Sequence, residues 1–143
     1  MRIAEVIRRK GSDVVTISPE AGVTELVAML GKYRIGALVV SADGGASVAG
    51  IVSERDVVSH LHSDGVAVLE RTVADIMTVD VESCAPEDEL ESLARRMTDL
   101  RVRHLPVVVD GKLTAIVSIG DVVKNRLDEL QDERDQLVTY VRS

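Results

Sequence analysis

The sequence predicts an α+β fold, sandwich-like, made of two β-α-β-β-α half-modules related by a pseudo-two-fold axis and followed by an extended C-terminal helix. Three observations predict it. First, the 143-residue chain contains one pattern twice. Residues 13–40 align without a gap on residues 80–107, and 8 of these 28 positions are identical. Past a shorter second turn, Ile51-Val52-Ser53 and Asp56-Val57-Val58 align on Ile116-Val117-Ser118 and Asp121-Val122-Val123. Second, with 25 Val, 13 Leu and 8 Ile but no Phe or Trp, the core must be aliphatic. Its β-branched excess favours sheet as well as helix. Third, no Pro or Gly interrupts residues 122–141.

The repeat divides the chain into a first motif at 1–62, a polar linker at 63–71, a second motif at 72–127 and a helical extension at 128–143. Neither motif can bury much surface alone, so the two should pack on each other. Each opens with a short helix (3–7 and 73–77) and an extended piece (14–17 and 79–81). Ser18-Pro19-Glu20 suits a helix start: a hydroxyl cap, a Pro at the first helical position and an acid at the positive end of the dipole. Ala85-Pro86-Glu87-Asp88 keeps the Pro and the acids without the hydroxyl. Val23, Leu26, Val27 and Leu30 then share one face at helical spacing, as do Leu90, Leu93, Ala94, Met97 and Leu100.

Residues 37–40 and 105–109 read as buried strands, with return strands at 48–52 and 113–117. Asp110-Gly111 between two apolar runs is a strong hairpin signal, and Ala42-Asp43-Gly44-Gly45 is its longer counterpart. Ser53 and Ser118 can each cap a closing helix. In the tail, Val123, Leu127, Leu130, Leu137 and Val141 follow 3-4 spacing, with Arg134 breaking the stripe. This amphipathic helix suits packing on the chain's own core or across a homodimer.

Composition narrows the function. A net charge of −7, a longest basic run of Arg8-Arg9-Lys10 and only two Tyr argue against nucleic acid as the main partner, which needs a basic face or stacking platforms. No run of 18 apolar residues exists to span a membrane, and residues 1–5 carry no export signature. One cysteine forms no internal disulfide and no zinc-finger pattern, so a reducing cytoplasm is expected. His60 and His62 point apart on a helix, so a surface position is expected for both rather than a shared metal. Cys84 lies in an apolar stretch without a candidate base. No P-loop, dinucleotide fingerprint or catalytic constellation occurs, so neither an enzyme nor a metal protein is expected.

The order of elements resembles a tandem pair of cystathionine-β-synthase (CBS) domains, the nucleotide-sensing Bateman module. Ala74-Asp75-Ile76-Met77-Thr78, Leu105-Pro106-Val107-Val108-Val109-Asp110-Gly111 and the run from Ile116 to Val122 carry the resemblance in the second copy. In the first copy it is carried by residues 35–40 and by Gly50-Ile51-Val52-Ser53-Glu54-Arg55-Asp56-Val57-Val58. With no catalytic or DNA-binding domain attached, the chain looks like a stand-alone CBS pair. The resemblance implies a regulatory site for an adenosine ligand (AMP, ADP, ATP, NAD(H) or S-adenosylmethionine) in a cleft between the copies. It also implies homodimers that stack two pairs into a disc.

The repeated Ser-x-x-Asp is the most informative motif, and it carries two compatible readings. As a capping box, Ser accepts from the third helical N–H and the acid supports the dipole. As a ligand site, the helix N-terminus faces phosphate and Asp accepts from both ribose hydroxyls; the resemblance implies this role for Ser53, Asp56, Ser118 and Asp121. Phosphate needs countercharge. The second copy offers Arg103 and His104 before its central strand, while the first has Ile35-Gly36-Ala37 there and Arg55 inside its motif instead. Solvated charge or helix pairing would explain the same basic residues. Val14, Ile35 and Ala37, with Val81, Val102 and Leu105, could line an adenine slot, although they suit the core equally. Thr78 completes the candidate set, at the point where the chain of related modules enters the cleft.

Overall fold

The computed structural model describes residues 1–142. Its elements run α1 (Ile3–Lys10), β1 (Thr16–Ile17), α2 (Val23–Tyr33), β2 (Ala37–Val40), β3 (Gly50–Ser53), α3 (Glu54–Asp64), a 3-10 stretch (Gly65–Glu70), α4 (Val73–Ile76), α5 (Leu90–Leu100), β4 (His104–Val109), β5 (Lys112–Ser118) and α6 (Ile119–Arg142). This mixed α+β chain forms two units. One holds Asp13–Glu82 with the hairpin tip Val109–Thr114; the other holds Met1–Ser12, Ser83–Val108 and the chain from Ala115 onward.

In the first of these units, β1 runs parallel to β2 and β2 antiparallel to β3, with Ile17 opposite Val40 and Ala37 opposite Ser53. All four residues of β2 are buried. Leu38, Val40 and Val52 share one core with Leu26 and Leu30 of α2 and Val57 of α3. Val73 and Ile76 of α4 complete that core, and Val68 of the 3-10 stretch is fully buried in it.

The second unit holds the body of the β4–β5 hairpin, which turns at Asp110-Gly111, whose φ values of 51° and 77° suit the primed turn that matches strand twist. Leu105, Val107 and Val117 share a core with Leu93, Met97 and Val122. Here the core is completed by Ile3 and Val6 of α1. Each core therefore takes its opening helix from the other copy of the repeat, so the repeat and the compact unit divide the chain differently.

That exchange explains where two expected helix starts moved. Helix α2 begins at Val23 and α5 at Leu90, not at Ser18-Pro19-Glu20 or Pro86-Glu87-Asp88. Those segments form turns whose carbonyls serve another helix. Pro86 and Asp88 accept from the N–H groups of Ala4 and Ile3, at 2.9 Å each. Pro19 and Ala21 accept from Ala74 and Val73, at 2.9 and 2.8 Å. The turns thus satisfy the orphan first-turn donors of α1 and α4. Ser18 Oγ accepts from Glu20 N at 3.3 Å, a local turn rather than a helix cap.

Two further expectations changed. Residues 79–81 form no strand; the counterpart of β1 is a single parallel bridge between Cys84 and Val107. Pro106 stands where β2 has Val39 and has no N–H to give a longer ladder. Residues 63–71, expected as a polar linker, continue α3 to Asp64 and then form the 3-10 stretch that buries Val68.

Candidate functional site

Both Ser-x-x-Asp motifs sit at the strand-to-helix junctions where the sequence puts them. Ser53 is the extended N-cap residue of α3. Its Oγ accepts from Asp56 N at 3.3 Å, and Asp56 Oδ2 accepts from Ser53 N at 2.7 Å and from Ser53 Oγ at 3.0 Å. At the head of α6, Ser118 Oγ accepts from Asp121 N at 3.1 Å and Asp121 Oδ2 accepts from Ser118 N at 2.9 Å. Both are reciprocal capping boxes. The first helical N–H is engaged in each as well: Glu54 N donates to Gly36 O at 3.0 Å and Ile119 N to Arg103 O at 2.8 Å. These bonds fasten each helix to the residue just before its central strand.

The next turn of each helix repeats the pattern with different chemistry. His60 Nδ1 bonds Asp56 O at 2.9 Å, which makes that nitrogen the protonated donor. Asn125 Nδ2, at the matching position, donates to Asp121 O at 2.7 Å and is itself buried. Arg9 Nη1 reaches Asn125 Oδ1 at 3.1 Å. His60 is thus a helix-stabilising residue here, and no group of three metal-ligating side chains occurs among the described residues.

Lys10, at the end of α1, is a residue that sequence reasoning missed. Its Nζ lies 2.5 Å from Asp121 Oδ2 and donates to Ile116 O at 2.8 Å. Burial alone would raise the Asp121 pKa, but Lys10 and the Ser118 N–H and hydroxyl outweigh it and hold the carboxyl below its ordinary value. Only spacing within a copy was legible; Lys10 lies 111 residues from its partner.

The candidate residues divide between the units. Val14, Ile35, Gly36, Ala37, Ser53, Arg55, Asp56, Thr78 and Val81 belong to the first; Val102, Arg103, His104, Ser118 and Asp121 belong to the second. Ala37 is buried, Val14, Ile35, Val81 and Val102 are half-buried, and Arg55, Thr78 and Arg103 are exposed. Thr78 also closes the sheet of its unit, because its backbone exchanges hydrogen bonds with Ile51 at 3.0 and 2.9 Å. Gly50 allows that approach: a Cβ there would stand 2.6 Å from Thr78 O. Cys84 is buried, and desolvation pushes its thiol up to about 11, which suits an inert core residue.

The family model of the CBS domain matches residues 3–63 and again 73–128. A mitochondrial CBS domain-containing protein of Arabidopsis thaliana, CBSX3, is 31% identical over 147 residues, covering 98% of this chain and 71% of its own. The crystal structure of a CBS-domain containing protein from Agrobacterium tumefaciens superposes with a TM-score of 0.84 at 40% identity, covering 88% of this chain and 99% of that one. The CBS domain pair of protein MJ0100, solved with 5′-methylthioadenosine and S-adenosyl-L-methionine, shares the fold at a TM-score of 0.78 and 19% identity, covering 90% of this chain and 98% of its own.

Proposed function

The chain belongs to the CBS-domain family, and from that premise we propose that it is a non-catalytic sensor of an adenosine nucleotide: AMP, ADP, ATP or NAD(H). The observation that carries this reading is the duplicated Ser-x-x-Asp, folded the same way at the heads of α3 and α6. Each junction puts a carboxylate, a hydroxyl and the positive end of a helix together, a set that suits ribose and phosphate at once. The adenosine-bearing ligands of the MJ0100 pair support the ligand class. In this reading Asp56 and Asp121 take ribose hydroxyls. Arg55, Arg103 and His104 supply countercharge, with Ser53 and Ser118 near phosphate. Val14, Ile35, Gly36 and Ala37 would flank a base in the first copy of the repeat, Val81 and Val102 in the second, with Thr78 a further candidate contact. The ligand acts by differential affinity for two conformations or assembly states. A homodimer in the cytoplasm, with neither nucleic acid nor membrane as its main partner, completes the proposal; among the described residues no helix is long and apolar enough to cross a membrane.

Calorimetry tests the ribose role. Asp56→Ala and Asp121→Ala should each weaken AMP or ATP binding about tenfold or more, the worth of a charged hydrogen-bond acceptor. Unchanged affinity in both variants refutes that role. A second reading, a dimerising module with vestigial sites, is favoured by one observation: in both junctions three first-turn donors already have internal partners. It predicts no thermal shift with AMP, ADP, ATP, NAD, NADH or S-adenosylmethionine.

A further inference from the structure

The two junctions are alike in backbone and unlike in charge. Asp121 carries a tethered cation, Lys10, on the same oxygen that caps α6. The pair lies at the surface and is partly shielded, its side chains 29% (Lys10) and 21% (Asp121) exposed. Asp56 has the same cap, but the segment that matches the end of α1 provides no cation: residues 72–94 contain no Lys, Arg or His. The opening helices are exchanged between the copies, so the difference between residues 3–10 and 73–80 is written into opposite junctions.

We propose that Lys10 makes the Ser118–Asp121 junction selective for adenosine ligands that carry a phosphate over those that do not. This inference rests on the adenosine reading above and deepens it. A ribose that takes Asp121 must compete with an ammonium already bonded to Oδ2. An uncharged nucleoside breaks this charge-assisted bond and offers the ammonium no anion in its place. A phosphate provides a second anion at the end of a flexible four-carbon stem, so Lys10 can trade one oxyanion for another. Arg103, just before the central strand of the same unit, stands at this junction through its carbonyl oxygen, which accepts from Ile119 N at 2.8 Å, and its guanidinium is a second cation for a phosphate in this proposal. Lys10 thus acts as a toll on neutral ligands and an anchor for charged ones.

Calorimetry with AMP and with adenosine, on the full chain, tests this. The native protein should prefer AMP by about tenfold or more, the effect of a charge-assisted contact. Lys10→Met, which keeps the apolar stem, should bring the ratio below about threefold, by weakening AMP and strengthening adenosine. Lys10→Arg should keep the preference; if the Met variant does not fold, Lys10→Gln takes its place. An AMP-to-adenosine ratio unchanged in Lys10→Met, with AMP binding still lost in Asp121→Ala, overturns this inference alone. A native protein that binds neither adenosine nor AMP overturns this inference, and one that also binds none of ADP, ATP, NAD and NADH overturns the adenosine reading with it.

Discussion

Gly50 shows how a single missing side chain can hold a sheet together. Strand β3 comes close enough to the chain after α4 that Thr78 and Ile51 exchange two backbone hydrogen bonds. A methyl group at position 50 would stand 2.6 Å from Thr78 O and 3.0 Å from Met77 Sδ. The sulfur can swing away, but the carbonyl cannot without breaking the bridge. Gly50→Ala should therefore cost about 1–3 kcal/mol, the range for overpacking a fitted interior, read as a lowered urea midpoint at unchanged slope. Asp121 gives a second expectation at this scale. Its folded pKa lies below 3.8, so it stabilises the fold above that value, and this stabilisation is lost as pH falls through the depressed folded value. Urea titrations should show the native protein losing stability relative to Asp121→Asn as pH drops from neutrality to about 3. Equal pH dependence in both proteins would mean that the carboxylate contributes nothing.

At the scale of elements, the paired helices α2 and α5 end in the same uncommon way. Their C-caps are Arg34 and Arg101, in the left-handed region at φ 54° and 56°, where glycine is the usual residue. A side chain there costs about 1–2 kcal/mol, and glycine returns about 0.5–1 kcal/mol of that in backbone entropy. Arg101→Gly should thus raise stability by up to about 1 kcal/mol by denaturant unfolding; a loss would show that the Arg side chain holds the corner. Both arginines are identical positions of the repeat, yet nothing in spacing alone marks a left-handed residue that is not Gly or Asn. Strand β2, the Asp110-Gly111 turn and both capping boxes were legible because each is written in neighbouring residues. The starts of α2 and α5 were not. Pro19 and Pro86 look like first helical residues locally, and only the distant N–H groups of Ala74 and Ala4 turn their carbonyls to another use. Lys10 escaped for the same reason, since its partner lies on an element far along the chain.

For the molecule as a whole, the exchange of opening helices decides what can fold. Ile3 and Val6, both fully buried, belong to a core whose other members come from residues 84–122. Val73 and Ile76 belong to the core built from residues 17–68. A cut at the end of α3, where the sequence repeat itself divides, leaves the first half without Val68, Val73 and Ile76, the second without Ile3 and Val6, and each without the helix that its proline turn caps. Each large aliphatic side chain removed from a core costs about 2–5 kcal/mol. A domain has only about 5–15 kcal/mol in total, so two losses, together with newly exposed apolar surface, consume most of the margin. Fragments 1–64 and 65–143, expressed separately, should then lack a cooperative thermal transition. Mixed at equal concentration, they should regain helical circular dichroism and elute as one complex. The tail sets a contrast within the same molecule: Leu137 and Val141 on α6 are 65% and 80% exposed, so Leu137→Ala should leave monomer stability within about 0.5 kcal/mol. If fragment 65–143 unfolds cooperatively by itself, α1 is dispensable to its core and the exchanged helices are an ornament rather than a requirement.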